Sequence, residues 1–291
     1  MSTTADPRWL DANGDEIDED HRGLVYDIRT LIDRRRMLGI FGGLAATTLF
    51  AACAPTGSGS GRTSSPDGGG PGGAAPAQDD GDLLEGEVPN ETAGPYPADG
   101  SNGVNVLDDS GIVRSDIRSS FGSSSTTADG IPLEIVLTVR DAATGKAMAG
   151  AGVYLWHCDR DGNYSLYSDS AKDENYLRGV QETDDTGTVR FTSIYPACYT
   201  GRWPHIHFEV YEDVDTAVAT GPIVKTSQIA LPEETNAKVY ATGGYESSVR
   251  NAAQVTLTGD NVFGDDGGIL QIATMTGDVD KGCTAALSIA V

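Results

Sequence analysis

Basic residues are scarce in this chain. Twenty lysines and arginines stand against 43 acidic residues, for a formal net charge of -23. Nucleic-acid binding needs a Lys/Arg surface that neutralises phosphates, so nucleic acid is not an expected partner. Long apolar runs are lacking too: the segment 39–53 is shorter than the roughly 20 residues of a membrane-spanning helix. No internal repeat is present. Helical periodicity is almost missing, and Pro232 to Tyr240, with proline at its start, is the one fair helix candidate. Histidine is rare as well. Of the four in the chain, His205 and His207 stand two apart.

What is there is unevenly distributed. Residues 1–33 are polar and acidic, and Asp33-Arg-Arg-Arg-Met-Leu38 leads into the apolar run. Adjacent arginines ahead of a mild apolar region resemble a twin-arginine export signal. The run ends in Phe50-Ala-Ala-Cys53, which resembles a lipobox, although Phe50 stands where leucine is usual. Lipidation of Cys53 and ordinary cleavage nearby both stay open; the first would tether the protein to the outer face of the cell membrane. Residues 54–81 are Gly, Ser, Pro and Ala with hardly a large apolar side chain. Such a segment cannot bury enough surface to offset chain entropy. The expected organisation is an export signal over 1–53, a flexible linker over 54–81 and one folded domain over 82–291.

Within that domain, Ile131 to Arg140 alternates in period two and is β-branched, which predicts a strand. Further strands are expected over 151–158, 188–194, 205–211, 222–231, 268–275 and 285–291, between turns such as Asp159-Arg-Asp-Gly162. Residues 163–180 read as a long excursion. Many short strands between Gly/Asp turns predict an all-β fold, a single β-sandwich with long irregular loops.

The chemistry concentrates in Tyr195 to Glu209, which holds two tyrosines, an arginine, a cysteine and the His-Ile-His run. On an extended strand, residues i and i+2 share a face. The two imidazoles therefore converge, and histidine is the commonest protein metal ligand.

Other residues complete an ordered set: Thr92-Ala-Gly-Pro-Tyr96, Val153-Tyr-Leu-Trp156, Gly162 with Tyr164, Gly187 with Phe191, Pro196 to Tyr199, and Arg202. In that order the sequence resembles the intradiol ring-cleavage dioxygenases, closest to the protocatechuate 3,4-dioxygenase type, over most of residues 90–230. The helical dimerisation segment of the catechol 1,2-dioxygenases is not seen. The resemblance implies a non-haem Fe(III) cofactor held by Tyr164, Tyr199, His205 and His207. It implies a catechol-type substrate and O2, with cleavage between the hydroxylated carbons to a cis,cis-muconate. Tyr199 would be the ligand that substrate displaces, Arg202 the charge that stabilises the activated ring, and Gln228 a neighbour of the same site. Elementary chemistry agrees, since a trivalent cation stabilises a phenolate whose ordinary pKa is near ~10. The donor set differs from the two-histidine, one-carboxylate triad of Fe(II) oxygenases and from a three-ligand catalytic zinc. One departure stands out: only six positions separate Tyr199 from His205, and Thr200-Gly201 replaces an aromatic residue of the family.

Each residue alone has a plainer reading. Tyr199 would be a core or corner tyrosine, Arg202 a solvated or acid-paired charge, and Gln228 a strand residue bonding backbone. Tyr167 and Tyr176 compete with Tyr164 if the loop register differs. Trp156 and Trp203 read as packing, and His157 as exposed or hydrogen-bonded. In an oxidising compartment, Cys158 and Cys198 are the favoured disulfide pair, leaving Cys283 odd. Two other functions use the same residues: a tethered β-sandwich that binds carbohydrate or protein around a non-catalytic metal, and a hydrolase-type zinc site.

Overall fold

The computed structural model describes residues 86–291. The expected signal, Cys53 lipobox and linker lie outside the described residues. The first strand, β1 (Pro132–Arg140), shows the alternation that the sequence predicts. Leu133, Ile135, Leu137 and Val139 are buried, and the residues between them are exposed or half-buried.

Seven more strands follow: β2 (Gly152–Trp156), β3 (Arg178–Glu182), β4 (Thr188–Ile194), β5 (His205–Tyr211), β6 (Ile223–Ala230), β7 (Thr274–Asp278) and β8 (Gly282–Ala290). They form two four-stranded sheets, ordered β4-β1-β8-β7 and β3-β2-β5-β6. Pairing is antiparallel except between β1 and β8. The all-β sandwich is thus as expected. Two strands differ from expectation. β3 lies at the end of the presumed excursion, and its polar Arg-Gly-Val-Gln-Glu sequence carries no strand signal. β7 begins only at Thr274, at the end of the expected 268–275 run, because it pairs with β8 through residues 274–278.

The sandwich core is apolar. Val153, Leu155, Ile206, Phe208, Val210 and Ile229 of the second sheet pack with Leu133, Ile135, Leu137 and Val139 of the first. Burial of each such side chain contributes about 1.5–3 kcal/mol. The outer face of the second sheet is covered as well, but by loops: Tyr154, Trp156 and Tyr211 cluster with Ala93, Tyr96, Leu107 and Tyr164. Every residue of β5 is consequently buried.

Among the described residues three short α-helices cap the sandwich: α1 (Val214–Val218), α2 (Glu233–Tyr240) and α3 (Glu246–Ala252). α2 is the expected one, with Pro232 at its N-cap. The other two have only 5 and 7 residues, too few for a helical period to register in sequence. No helix among the described residues is long and apolar enough to cross a membrane.

Candidate active site

β5 presents His205 and His207 on its outer face. The register across the sheet sets Trp156 of β2, His207, and Gln228 of β6 in one row. The Trp156 ring stacks on the His207 ring at 4.9 Å and 5°. On the other side a Cβ on Gly94 would come within 3.3 Å of His207 Cε1, and Gly94 has φ +70, so glycine is required there twice over. His207 Nδ1 meets no hydrogen-bond partner, so on that side of the ring packing sets its orientation. His205 is held differently, with Nδ1 2.5 Å from the Trp203 carbonyl. A carbonyl only accepts, so Nδ1 carries the proton and Nε2 keeps its lone pair.

Two tyrosines meet the histidines. The Nε2 atoms of His205 and His207 are 3.1 Å apart. Tyr164 Oη lies 3.5 Å and 3.4 Å from them, and Tyr199 Oη lies 3.3 Å from His205 Nε2. Tyr164 follows a turn in which the Asp159 carboxylate accepts from the backbone N–H groups of Asp161 and Asn163. Within that turn Gly162, at φ +94, lets the backbone approach Tyr199, whose Cβ would sit 3.2 Å from an added Cβ. Tyr96 stacks on Tyr164 at 4.8 Å. Tyr164, His205 and His207 are buried, whereas Tyr199 is half-buried.

The expected charged neighbours are also here. Arg202 Nη1 is 3.4 Å from His205 Nε2, and its Nη2 donates to Gln228 Oε1 at 2.7 Å. Gln228 in turn donates to the Thr92 carbonyl at 2.8 Å, which ties the Thr92–Tyr96 segment to the site. Two residues of this assembly carry no sequence signal. Asp260, in a turn after a short 3-10 helix, accepts from Arg202 Nε at 3.0 Å. Arg178 donates to the Ser165 carbonyl, Ser165 Oγ, the Pro97 carbonyl and Tyr154 Oη. It thereby clamps the Tyr164 loop against the segment that carries Tyr96.

The competing tyrosines go elsewhere. Tyr167 bonds Asn102 and Tyr176 bonds Asp159. His157 is hydrogen-bonded rather than exposed, between the Cys158 carbonyl and Ser193 Oγ. Trp203 is buried and donates from its indole to Leu231. The expected disulfide is corrected: Cys158, Cys198 and Cys283 are all buried, and no bridge joins Cys158 to Cys198. Cys158 packs in the outer cluster and Cys198 in the sandwich core, and their thiols turn to different carbonyls, of Ala197 and Arg202.

Burial sets the protonation of the donors. It pushes both His205 and His207 well below the usual imidazole range, helped at His205 by Arg202 and at His207 by His205. Both are therefore neutral near pH 7, the state that offers a lone pair to a metal. Burial, with the neighbouring Tyr199, drives the Tyr164 phenol well above its ordinary value. Only a strong cation beside it would leave a phenolate there. The donor separations fit such an ion: ligands at about 2.1 Å from one centre lie about 3.0–3.4 Å apart, against the observed 3.1–3.5 Å. Among the described residues no three of His, Cys, Asp and Glu gather as a metal shell; the side-chain oxygens beside these histidines are those of Tyr164 and Tyr199. An apolar groove of about 700 Å³ lies beyond Trp203 and Pro204, but none of the four donors lines it.

Similarity to known proteins falls on these elements. Residues 122–220 match the family described as Dioxygenase, a span that includes Tyr164, Tyr199, Arg202, His205 and His207. A chlorocatechol 1,2-dioxygenase of Rhodococcus opacus is 39% identical over 62 residues, 21% of this chain and 24% of that protein. One of Pseudomonas putida is 36% identical over 105 residues, 30% of this chain and 40% of that protein. The chain thus spans less than half the length of these curated relatives. Among solved structures, an intradiol ring-cleavage dioxygenase from Tetranychus urticae is 28% identical with a TM-score of 0.53, covering 62% of this chain and 87% of that one. The sandwich, the matched span and the tyrosines and histidines within it agree: over these elements the chain is similar to the intradiol ring-cleavage dioxygenases.

Proposed function

We propose that the protein is a non-haem Fe(III) intradiol dioxygenase that inserts both atoms of O2 into a catechol-type substrate and releases a cis,cis-muconate. The observation that carries this reading is the convergence of two imidazole nitrogens and two phenol oxygens within 3.1–3.5 Å, beside a buried guanidinium. Tyr164, Tyr199, His205 and His207 would hold the iron, which would supply a Lewis-acidic, redox-active centre for catecholate and dioxygen. The protein's own groups do the rest. Tyr199, the one donor that is not fully buried, is the group placed to take up a substrate proton at its phenol oxygen. Arg202 offers positive charge to a ring that becomes electron-rich, an electrostatic contribution that such donors make at about 10²–10³ in rate. Gln228 fixes the direction of that charge, and Tyr96 with Trp156 excludes water from the buried side.

Colour gives the first test. Tyrosinate-to-iron charge transfer makes the loaded protein red-brown, and a colourless protein with full iron content sinks the reading. Tyr164→Phe shifts the visible band, whereas Tyr176→Phe leaves it largely in place. Oxygen uptake with catechol, protocatechuate and hydroxyquinol, with product absorbance, then ranks substrates. We further propose export of the domain 82–291 by the arginine-led signal, with the tether at Cys53. Fractionation of cells expressing the chain and its Cys53→Ala variant tests this; an unprocessed cytoplasmic chain overturns it.

A further inference from the structure

We infer that Asp260 is a positioning residue that sets both the direction of Arg202 and the tautomer of His205, so that one buried carboxylate arranges two halves of the site. The inference rests on the reading above only in giving Arg202 and His205 their work.

The Asp260 side chain is fully buried, at 0% exposure, and its partner Arg202 is at 2%. A buried carboxylate is costly unless its lone pairs are filled, and here they are. Oδ2 accepts from Arg202 Nε at 3.0 Å and from the Trp203 backbone N–H at 2.7 Å. Oδ1 accepts from the backbone N–H groups of Val262 and Phe263 at 2.9 Å and 3.3 Å, and lies 3.4 Å from Arg202 Nη2. The turn is built around it: Gly264 donates to the Asp260 carbonyl, and a Cβ on Gly264 would come within 2.5 Å of that oxygen.

Two consequences reach the site. The guanidinium is planar, so fixing Nε on Asp260 and Nη2 on Gln228 fixes where Nη1 points. It points at His205 Nε2. Trp203 is pinned at its backbone N–H by Asp260 and at its indole N–H by Leu231, while its own carbonyl takes the His205 Nδ1 proton. Holding Trp203 in place holds that acceptor in place, and the acceptor decides which imidazole nitrogen faces the tyrosines. A partner that orients a metal-facing histidine commonly contributes 10–100-fold to affinity or activity. The acid also offsets the charge of a buried arginine at 3.0 Å.

The test compares the wild type, Asp260→Asn, Arg202→Ala and the double variant. In metal-free protein, imidazole 15N shifts report the His205 tautomer: the wild type shows Nδ1–H alone, and Asp260→Asn shows a mixture. With iron loaded, Asp260→Asn is expected to lower kcat about 30-fold, within the range for such partners, and to change KM much less. The double variant is expected to be no more than about threefold below Arg202→Ala, the mark of action through that residue. A folded Asp260→Asn protein with an unaltered tautomer, or losses that multiply in the double variant, overturns the inference. If Asp260→Asn does not fold, the wild type still decides: the Arg202 Nε–H must exchange slowly, and fast exchange overturns the pairing. Absence of ring cleavage by the iron-loaded wild type would strike the proposed function, while the metal-free shifts would still judge Asp260.

Discussion

The two faces of β5 are equally buried and are built from opposite chemistry. Toward the other sheet, Ile206, Phe208 and Val210 are apolar and close against β1 by dispersion and water exclusion. Toward the loops, His205, His207, Glu209 and Tyr211 all bring polar atoms out of water. What covers each face accounts for the difference. A facing sheet has spent its backbone groups on its own ladder, so it can offer only side chains to whatever packs on it. Loops keep free carbonyls and N–H groups, and these are what satisfy the outer face. Trp203 accepts from His205, Thr92 from Gln228, and Ser165 and Pro97 from Arg178. A buried polar site is therefore affordable where irregular chain covers a sheet.

Substitutions on the two faces should separate. His207→Ala, on the outer face, is expected to remove bound iron and lower oxygen uptake by more than the 10–100-fold typical of outer partners. Iron analysis checks this, and full iron retention would break the contrast. Phe208→Ala, one residue away on the inner face, is expected to destabilise the fold by about 3–5 kcal/mol in denaturant unfolding. A loss below about 1 kcal/mol would show that the inner face is not a packed core.

A smaller effect concerns the loop cover. Glu91 precedes Thr92, and its carboxyl is pushed up from 4.5 to about 8 by burial, then by Asp265 and Asp266, with Arg202 opposing. The folded state keeps a proton that the unfolded chain releases, so this residue makes stability fall as pH rises from about 4.5 to about 8. Glu91→Gln is expected to flatten that slope in unfolding midpoints taken across the window; an unchanged slope removes Glu91 as its source. The smallest expected change concerns the buried thiols. Reductant should leave both the melting temperature and the mass of the purified domain unaltered, and a 2 Da mass gain would reveal a bridge.

The sandwich was legible because β1 and β5 carry strong strand signals, alternation in one and a buried apolar run in the other. The meeting of Tyr164, Tyr199, His205 and His207 was legible through His-x-His spacing and the ordered tyrosines. Tyr164 could be chosen over Tyr176 only by order in sequence; the structure separates them by giving Tyr176 to Asp159. Asp260 was not legible. It lies in Thr258-Gly-Asp-Asn261, which reads as any polar turn, and its value comes from a contact 58 residues away in sequence. Arg178 hid in the same way, as a charge at the start of a strand with no apolar pattern. Tyr245, in a stretch without a motif, is buried and joins Ile131 to Tyr195 through its hydroxyl. The cysteines misled because compartment chemistry says which bonds persist, not which thiols face each other.

The strand that carries His205 and His207 pairs with neighbours on both edges and is covered on both faces. Its amides accordingly belong to the last set to exchange with solvent, at the free energy of global opening. Tyr199, by contrast, lies on an irregular segment and is half-buried. The site thus joins a base held by a whole sheet to a rim held by a loop.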